Sequence, residues 1–145
     1  MSDIFFKELG IAAPDHHLGI GSASHGVQTG AMLAAVEQVL ENERPDRVLI
    51  YGDTNSTLAG ALAAAKLHIP AAHVEAGLRS SDRNMPAEIN RVVADHLATL
   101  LFRPSRAAAA NLRNEGIRAG RRVVGDVRAE AVVYAAAAAG RRERA

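Results

Sequence analysis

The sequence has 145 residues, the length of one ordinary domain, and 48% of them are hydrophobic, enough to bury a core. Aromatic residues make up only 3% and alanine accounts for 30 residues, so the core must rely on small and aliphatic side chains. No apolar run reaches the roughly 18 residues that a membrane span needs, and the sequence contains no cysteine. This composition excludes a membrane-spanning protein, disulfides and thiolate metal sites, and it fits a reducing cytoplasm.

The net charge of +1 is unevenly distributed along the chain. Residues 103–145 hold ten arginines and four acids, a net charge of +6, whereas residues 1–102 carry −5. A nucleic-acid-binding C-terminal segment is one interpretation. However, the segment has no lysine and few aromatic residues, and its arginines alternate with alanines at helical spacing, which favours a solvated helical face. We therefore expect neither a nucleic-acid partner nor a membrane.

Short apolar runs alternate with longer amphipathic or alanine-rich segments from about residue 18 onward. The first run, Leu18–Ile20, is a possible short strand closed by Gly19 and Gly21. The later runs predict strands at residues 47–51, 69–74, 100–102 and 123–124. Helices are predicted at residues 25–42, from a cap at Asn55 or Ser56 to about residue 67, from residues 85–86, at 105–114 and from 127.

The helix that begins at Met85 and Pro86 has apolar residues at helical spacing. Ile89, Val92, Val93 and Leu97 are expected to form its buried stripe. Regular alternation of strand and helix predicts the α/β class, a parallel sheet with helices on both faces. The C-terminal ends of parallel strands share one edge, where open α/β sheets bind ligands.

Two acidic residues directly follow predicted strands, Asp53 after the first well-defined strand and Glu75 after the next. If those strands are neighbours, the two carboxylates face one crevice, where their pKa values can be pushed apart so that one acts as acid and the other as base. Asp53 could instead cap the following helix. Glu75 could be neutralised by Arg79 in a structural ion pair.

The histidines offer few candidates for chemistry. His73 lies within the second of these strands, and a lone strand histidine is more often a hydrogen-bonded core residue than a catalyst. The others lie in loops or on helices, and none has further ligands at metal-like spacing, so no metal site is expected. Residues 19–24 begin like a dinucleotide fingerprint, but Ser24 stands where the third glycine belongs and no suitably placed acid follows. No nicotinamide site or other cofactor is expected.

Three segments together resemble the non-hydrolysing UDP-N-acetylglucosamine 2-epimerases: residues 48–60 (VLIYGDTNSTLAG), 70–79 (PAAHVEAGLR) and 85–91 (MPAEINR). Residues 24–30, 100–105 and 124–126 match further segments of that family. The resemblance runs through nearly the whole chain in the family's order. It implies a Rossmann-like, doubly wound parallel sheet that belongs to the N-terminal domain of a two-domain, glycosyltransferase-B-like fold.

The resemblance also implies an activity. Members interconvert UDP-N-acetylglucosamine and UDP-N-acetylmannosamine by removing the proton on carbon 2, eliminating UDP and re-adding it to 2-acetamidoglucal, without a redox cofactor. By motif match, Asp53 and Glu75 take two catalytic carboxylate positions. His73, Arg79, Glu88, Asn90 and Arg91 match neighbouring substrate-binding or supporting positions, and Gln28 and Thr29 match a segment near a second, regulatory UDP-sugar site.

The sequence departs from the family pattern at one functional position. The family reads Pro-Glu-Glu before Ile-Asn-Arg and uses the first Glu, whereas this chain has Ala87 there and retains only Glu88. Because one helical residue is a rotation of about 100°, Glu88 is poorly placed to substitute.

The matched segments also correspond to an incomplete N-terminal domain, without the family's first strands or its second domain. We expect a bare edge at residues 48–51 and a chain that alone dimerises, swaps or folds poorly. A homodimer, or a partner that supplies the missing segments, is the expected assembly.

Two interpretations of this resemblance stay open. The chain is an epimerase portion that acts with the missing parts, or a non-catalytic remnant that binds UDP-sugar or regulates a full-length relative. A hydrolysing epimerase, which would release N-acetylmannosamine and UDP, is a further alternative within the enzymes.

Overall fold

The computed structural model describes residues 6, 10–118 and 120–142, and it contains four strands and five helices in alternation within the part from His25 onward. In chain order these are α1 (His25–Glu43), β1 (Val48–Tyr51), α2 (Asn55–Lys66), β2 (Ala71–Val74), α3 (Pro86–Leu97), β3 (Leu100–Arg103), α4 (Arg106–Asn114), β4 (Arg121–Val123) and α5 (Val127–Arg142). No helix in these described ranges is long and apolar enough to cross a membrane.

The four strands form one parallel sheet in the order β1-β2-β3-β4. Tyr51 pairs with Val74 and Val74 pairs with Phe102, so the C-terminal ends of three strands reach the same edge. Consecutive strands joined by right-handed crossovers place their connecting helices on one face. The predicted α/β, Rossmann-like parallel sheet is confirmed, and the described residues supply one of the two helical layers expected from the alternation.

Small residues form the interface between the sheet and its helices. Ile50 of β1 packs with Ala61 of α2 and Ala94 of α3. A second cluster joins α1, α2 and β2 through Leu40, Ala63, Ala64 and Ala71. A Cβ on Gly60 would lie 3.0 Å from the Ile50 side chain. The abundance of alanine therefore lets the helices approach the sheet closely, with few large side chains between them.

The other face of β1 is open to solvent. Leu49 is 50% exposed and Tyr51 58% exposed, whereas Ile50 between them is buried. Because β1 also lies at the edge of the described sheet, it presents both an apolar face and an unpaired strand edge. The bare edge expected at residues 48–51 is thus present.

Two local predictions were wrong, and a third was wrong in part. Leu18–Ile20 is not a strand: Gly19 has a left-handed φ of 65° and the segment pairs with no described strand. The cap of α2 is Thr54 rather than Asn55 or Ser56, with its N–H donating to Thr57 Oγ1 at 3.2 Å. The buried face of α3 is polar, as described below.

Candidate active site

Asp53 and Glu75 lie at the C-terminal edge of the sheet, directly after the neighbouring strands β1 and β2. Arg91 of α3 lies between them: its Nη2 is 2.6 Å from Asp53 Oδ2 and 3.8 Å from Glu75 Oε2. The Arg91 side chain is only 10% exposed, whereas those of Asp53 and Glu75 are 30% and 14% exposed. The structure therefore brings the two predicted carboxylates together through a buried guanidinium.

We call Asp53 and Glu75 the carboxylate pair. Asp53 does not cap the next helix, because Thr54 takes that position. Arg91 compensates the negative charge of both members, and its buried Nε has no hydrogen-bond partner among the described residues. A buried donor without a partner is costly to the fold.

The backbone of Glu75 is strained. Its φ of 71° lies in the left-handed region, which costs a residue other than glycine roughly 1–2 kcal/mol. The following residues hold it there: the N–H of Ala76 donates to the Phe102 carbonyl at 3.1 Å and that of Gly77 donates to Asp95 Oδ2 at 2.9 Å. Strain that neighbouring contacts maintain is typical of functional sites.

A second arginine approaches the carboxylate pair from the start of α5. Arg128 Nε lies 3.6 Å from Glu75 Oε1, and the Arg128 side chain also pairs with Asp126 at 3.2 Å. Hydrogen bonds from Arg128 lower the pKa of Asp126 below its ordinary value. Sequence reasoning missed Arg128, because nothing local indicates that the last helix begins beside Glu75.

His73 and Asp95 lie beneath the carboxylate pair, and both side chains are fully buried. His73 Nδ1 is 2.7 Å from Asp95 Oδ1, and its Nε2 is 2.7 Å from the Gly52 carbonyl. His73 is thus a hydrogen-bonded core residue that does not reach the site surface. Sequence reasoning also missed Asp95, although it follows Arg91 by one helical turn.

The polar residues of α3 face inward, and of the predicted apolar stripe Leu97 packs against the cluster of Ile50 and its neighbours while Val92 and Val93 are half-buried. The buried residues of α3 are Glu88, Asn90, Arg91, Ala94 and Asp95. Ile89, by contrast, is 49% exposed. The apolar periodicity did not predict the buried face of α3, because the inward face of this helix supplies the site. Paired polar groups therefore occupy positions where packing alone would place apolar residues.

Arg79 does not neutralise Glu75. Its guanidinium makes two hydrogen bonds of 2.6 Å to Glu115, one of 2.7 Å to Asp95 and one to the Leu78 carbonyl. Burial opposes its charge, but these carboxylates outweigh burial and raise the pKa of Arg79. Arg79 therefore ties the loop after β2 to α3 and α4.

Glu88 holds the same loop from below. Its carboxylate accepts hydrogen bonds from the Ser80 N–H at 2.9 Å, the Ser80 hydroxyl at 3.1 Å and the Ser81 N–H at 3.2 Å. Burial alone would raise the pKa of Glu88, but these hydrogen bonds lower it. Glu88 is thus committed to the loop, whereas Ala87 lies one turn before Arg91 on the same helical face.

A chain of side-chain amides connects α1 to the carboxylate pair. Gln28 accepts from Asn55 at 2.7 Å, and Asn90 donates to Asn55 at 3.1 Å and to the Asp53 carbonyl at 3.0 Å. Thr29, Asn55 and Asn90 line a cavity of about 420 Å³. The predicted residues Gln28, Thr29 and Asn90 are therefore brought together beside Asp53.

The model of the UDP-N-acetylglucosamine 2-epimerase family matches residues 1–144. A UDP-N-acetylglucosamine 2-epimerase homolog of Methanococcus maripaludis is 58% identical over 135 residues, 93% of this chain and 38% of its own length. The UDP-2,3-diacetamido-2,3-dideoxy-D-glucuronate 2-epimerase of Pseudomonas aeruginosa is 54% identical over 137 residues, 92% of this chain and 39% of its own length.

A crystal structure of Methanocaldococcus jannaschii UDP-GlcNAc 2-epimerase in complex with UDP-GlcNAc and UDP superposes with a TM-score of 0.84 at 56% identity. The match covers 87% of this chain and 35% of that protein. The chain thus spans little more than a third of the length of these relatives. The family match over nearly every residue, together with the shared fold, shows that the chain belongs to the UDP-N-acetylglucosamine 2-epimerase family.

Proposed function

We propose that this chain supplies the carboxylate half of the active site of a UDP-sugar 2-epimerase, with UDP-N-acetylglucosamine as substrate and UDP-N-acetylmannosamine as product. The observation that carries the proposal is the carboxylate pair, bridged by Arg91 at the ligand-binding edge of a parallel sheet. The relatives support the nucleotide part of the substrate, since the M. jannaschii and Neisseria meningitidis enzymes were crystallised with UDP-GlcNAc.

The reaction needs two proton transfers at carbon 2 of the sugar. A carboxylate removes the carbon-2 proton, the electron pair of that bond forms the C1=C2 double bond, and the bond from carbon 1 to UDP breaks. In the return step a UDP oxygen attacks carbon 1, and carbon 2 takes a proton on the opposite face. Two carboxylates at one edge of the sheet suit this chemistry, because one can act as base while an acid on the other side of the sugar returns the proton.

Arg91 fits a supporting part in this scheme. Its guanidinium keeps both carboxylates charge-compensated while its buried Nε lacks a partner in the described structure. We propose that Asp53 and Glu75 exchange protons with the sugar and that Arg91 orients them.

The sugar and the assembly follow as parts of the same proposal. The P. aeruginosa relative acts on a diacetamido uronate, so both sugars are candidates, and UDP-N-acetylglucosamine is favoured by the larger number of relatives named for it. A homodimer, or a complex with a partner chain, is the assembly that we propose. The cysteine-free composition fits a cytoplasmic location.

The test replaces the matching segment of the M. jannaschii enzyme with this chain. Turnover is followed by proton NMR as loss of the carbon-2 proton signal of UDP-N-acetylglucosamine in heavy water. We expect exchange in the chimera and a fall of about 10²- to 10⁴-fold in Asp53→Asn and Glu75→Gln. Asp46→Asn, the same change in the segment before β1, is the matched control and should leave the rate unchanged.

A folded chimera without exchange would contradict the proposal. A second function is then favoured by Ala87 and by the cavity lined by Thr29, Asn55 and Asn90: a non-catalytic module that binds UDP-sugar or regulates an intact relative. That function predicts amide shifts around Asn55 when UDP-N-acetylglucosamine is titrated into the full chain. It also predicts altered turnover when the chain is added to an intact epimerase.

A further inference from the structure

Asp95 is a buried carboxylate whose two oxygens have different partners. Oδ1 lies 2.7 Å from His73 Nδ1, and Oδ2 accepts from the Gly77 N–H at 2.9 Å and from Arg79 at 2.7 Å. The Asp95 side chain has no exposed surface, so it cannot touch a substrate. These hydrogen bonds hold the Asp95 carboxylate in one orientation, and the carboxylate in turn restricts the positions of its partners.

The contact of Oδ1 connects Asp95, through His73, to the backbone next to Asp53. His73 lies between Asp95 and the backbone before Asp53. Its Nδ1 contacts Asp95 Oδ1, and its Nε2 lies 2.7 Å from the Gly52 carbonyl oxygen. The ring lies between two hydrogen-bond acceptors, the Asp95 carboxylate and the Gly52 carbonyl. The ring cannot turn without breaking both contacts. Asp95 thereby fixes the peptide that immediately precedes Asp53.

The hydrogen bond to Oδ2 connects Asp95 to the turn that follows Glu75. Gly77, with a φ of 80°, donates its N–H to Oδ2 two residues after Glu75, whose own φ is 71°. A left-handed glutamate persists only where its surroundings hold it. The hydrogen bond from Gly77 to Asp95 closes the turn that holds Glu75 in this conformation. Arg79 pairs with the same Asp95 oxygen.

We propose that Asp95 is a positioning residue that sets the orientation of Asp53 and Glu75 relative to each other. The inference rests on the proposed function and deepens it, since Arg91 can bridge the two carboxylates only while both turns keep their geometry. Through its contacts, Oδ1 sets the position of Asp53 and Oδ2 sets that of Glu75. Asp95 therefore couples the ends of β1 and β2 from beneath the site.

The first experiment needs no activity. Amide spectra of the full chain are compared for Asp95→Asn, which keeps the side-chain volume, and for Glu115→Gln. Glu115 is the matched control because it binds the same Arg79 but, within the part of the chain that the structure describes, makes no hydrogen bond to His73 or Gly77. The amide signals of Asp53 and Glu75 should move in Asp95→Asn and stay in Glu115→Gln. Equal shifts in both variants, or none in Asp95→Asn, would overturn the proposal.

A third variant separates the two oxygens and keeps the test decisive if Asp95→Asn does not fold. His73→Gln removes the contact with Oδ1 and leaves Oδ2 on the Gly77 turn. We expect the Asp53 amide to move and the Glu75 amide to stay. Shifts of the same size at both positions would contradict the separate control of the two carboxylates.

The second experiment measures turnover in the M. jannaschii chimera. Asp95→Asn should lower kcat by about 10- to 100-fold, because small displacements of catalytic groups are costly, and should leave KM within about twofold. Glu115→Gln should leave both constants within about twofold of the parent. An inactive parent chimera would count against the proposed function, whereas an active parent whose Asp95→Asn variant keeps full kcat would count against the positioning role.

Discussion

The guanidinium of Arg91 lies 2.6 Å from the carboxylate of Asp53, and this contact joins the first turn after β1 to the middle of α3. The same nitrogen faces Glu75 at 3.8 Å. One cation therefore holds two carboxylates from different strands at one edge of the sheet. This arrangement leads to predictions on stability as well as on turnover.

Replacing Arg91 with methionine should destabilise the chain by about 1–3 kcal/mol. The change removes the buried cation between Asp53 and Glu75, and the cost stays moderate because Asp53 is 30% exposed and Arg128 remains near Glu75. Urea unfolding at pH 7 measures the loss. Arg83→Met, at an exposed loop position, is the control and should cost less than about 0.5 kcal/mol. Equal losses in the two variants would show that the bridge does not stabilise the fold.

Gly77→Ala should be among the most damaging changes to the site, at about 2–4 kcal/mol. A Cβ there would lie 2.4 Å from the Ala108 carbonyl oxygen, on a residue whose φ is already 80°. Gly116→Ala is a matched control, because Gly116 has a φ of 81° but open space around its Cβ position. Its cost should stay near 1 kcal/mol. If thermal unfolding gives the two variants the same stability, backbone strain rather than the close approach to α4 decides the effect.

The stability of the fold should fall in acid partly through Glu88. The hydrogen bonds from Ser80 and Ser81 place its folded pKa below the ordinary value of 4.5. A carboxyl with a depressed folded pKa contributes stability that is present above its unfolded pKa and is lost as the pH falls through the folded one. Glu88→Gln should therefore differ most from the parent above about pH 4.5, and the difference should shrink below it.

Urea midpoints at pH 7, 5 and 4, measured alongside an exposed Glu41→Gln control, test this prediction. A difference between parent and Glu88→Gln that stays constant with pH would mean that packing, rather than the ionised carboxylate, holds the loop.

Ala87→Glu should raise turnover in the chimera. A glutamate there would lie one helical turn from Arg91, in the first turn of α3, where a negative charge also stabilises the helix by about 0.3–1 kcal/mol. We expect a gain of about tenfold or more in carbon-2 exchange, in line with the contribution of a positioned acid or base. Ala87→Gln separates charge from size. Equal rates in the two variants would show that a third carboxylate is not needed.

Self-association should depend on the open face of β1. Leu49 is 50% exposed at the sheet edge, and an exposed apolar edge strand pairs readily with another chain. Leu49→Lys should lower the concentration-dependent mass measured by sedimentation. Val27→Lys on α1, where Val27 is 66% exposed, should leave that mass unchanged. A parent chain that remains monomeric at all concentrations would contradict this prediction.

Local pattern was sufficient for the order of the elements and for the position of the carboxylate pair. Asp53 and Glu75 follow apolar runs, and parallel strands carry such residues to one edge of the sheet. The same reasoning failed at Leu18–Ile20, an apolar run that pairs with none of the strands the structure describes. It failed again on α3, where the periodicity of Ile89 and Val92 was taken for the buried face.

The sequence by itself determined the alternation of strand and helix, the family and the two acids at the strand ends, because each depends on residues close together in the chain. Only the tertiary structure decided which charges meet. Arg91 pairs with Asp53 and Glu75, whereas Arg79 pairs with Asp95 and Glu115. Ion-pair choice depends on distance and burial between elements far apart in sequence, and those are set only when the helices pack on the sheet.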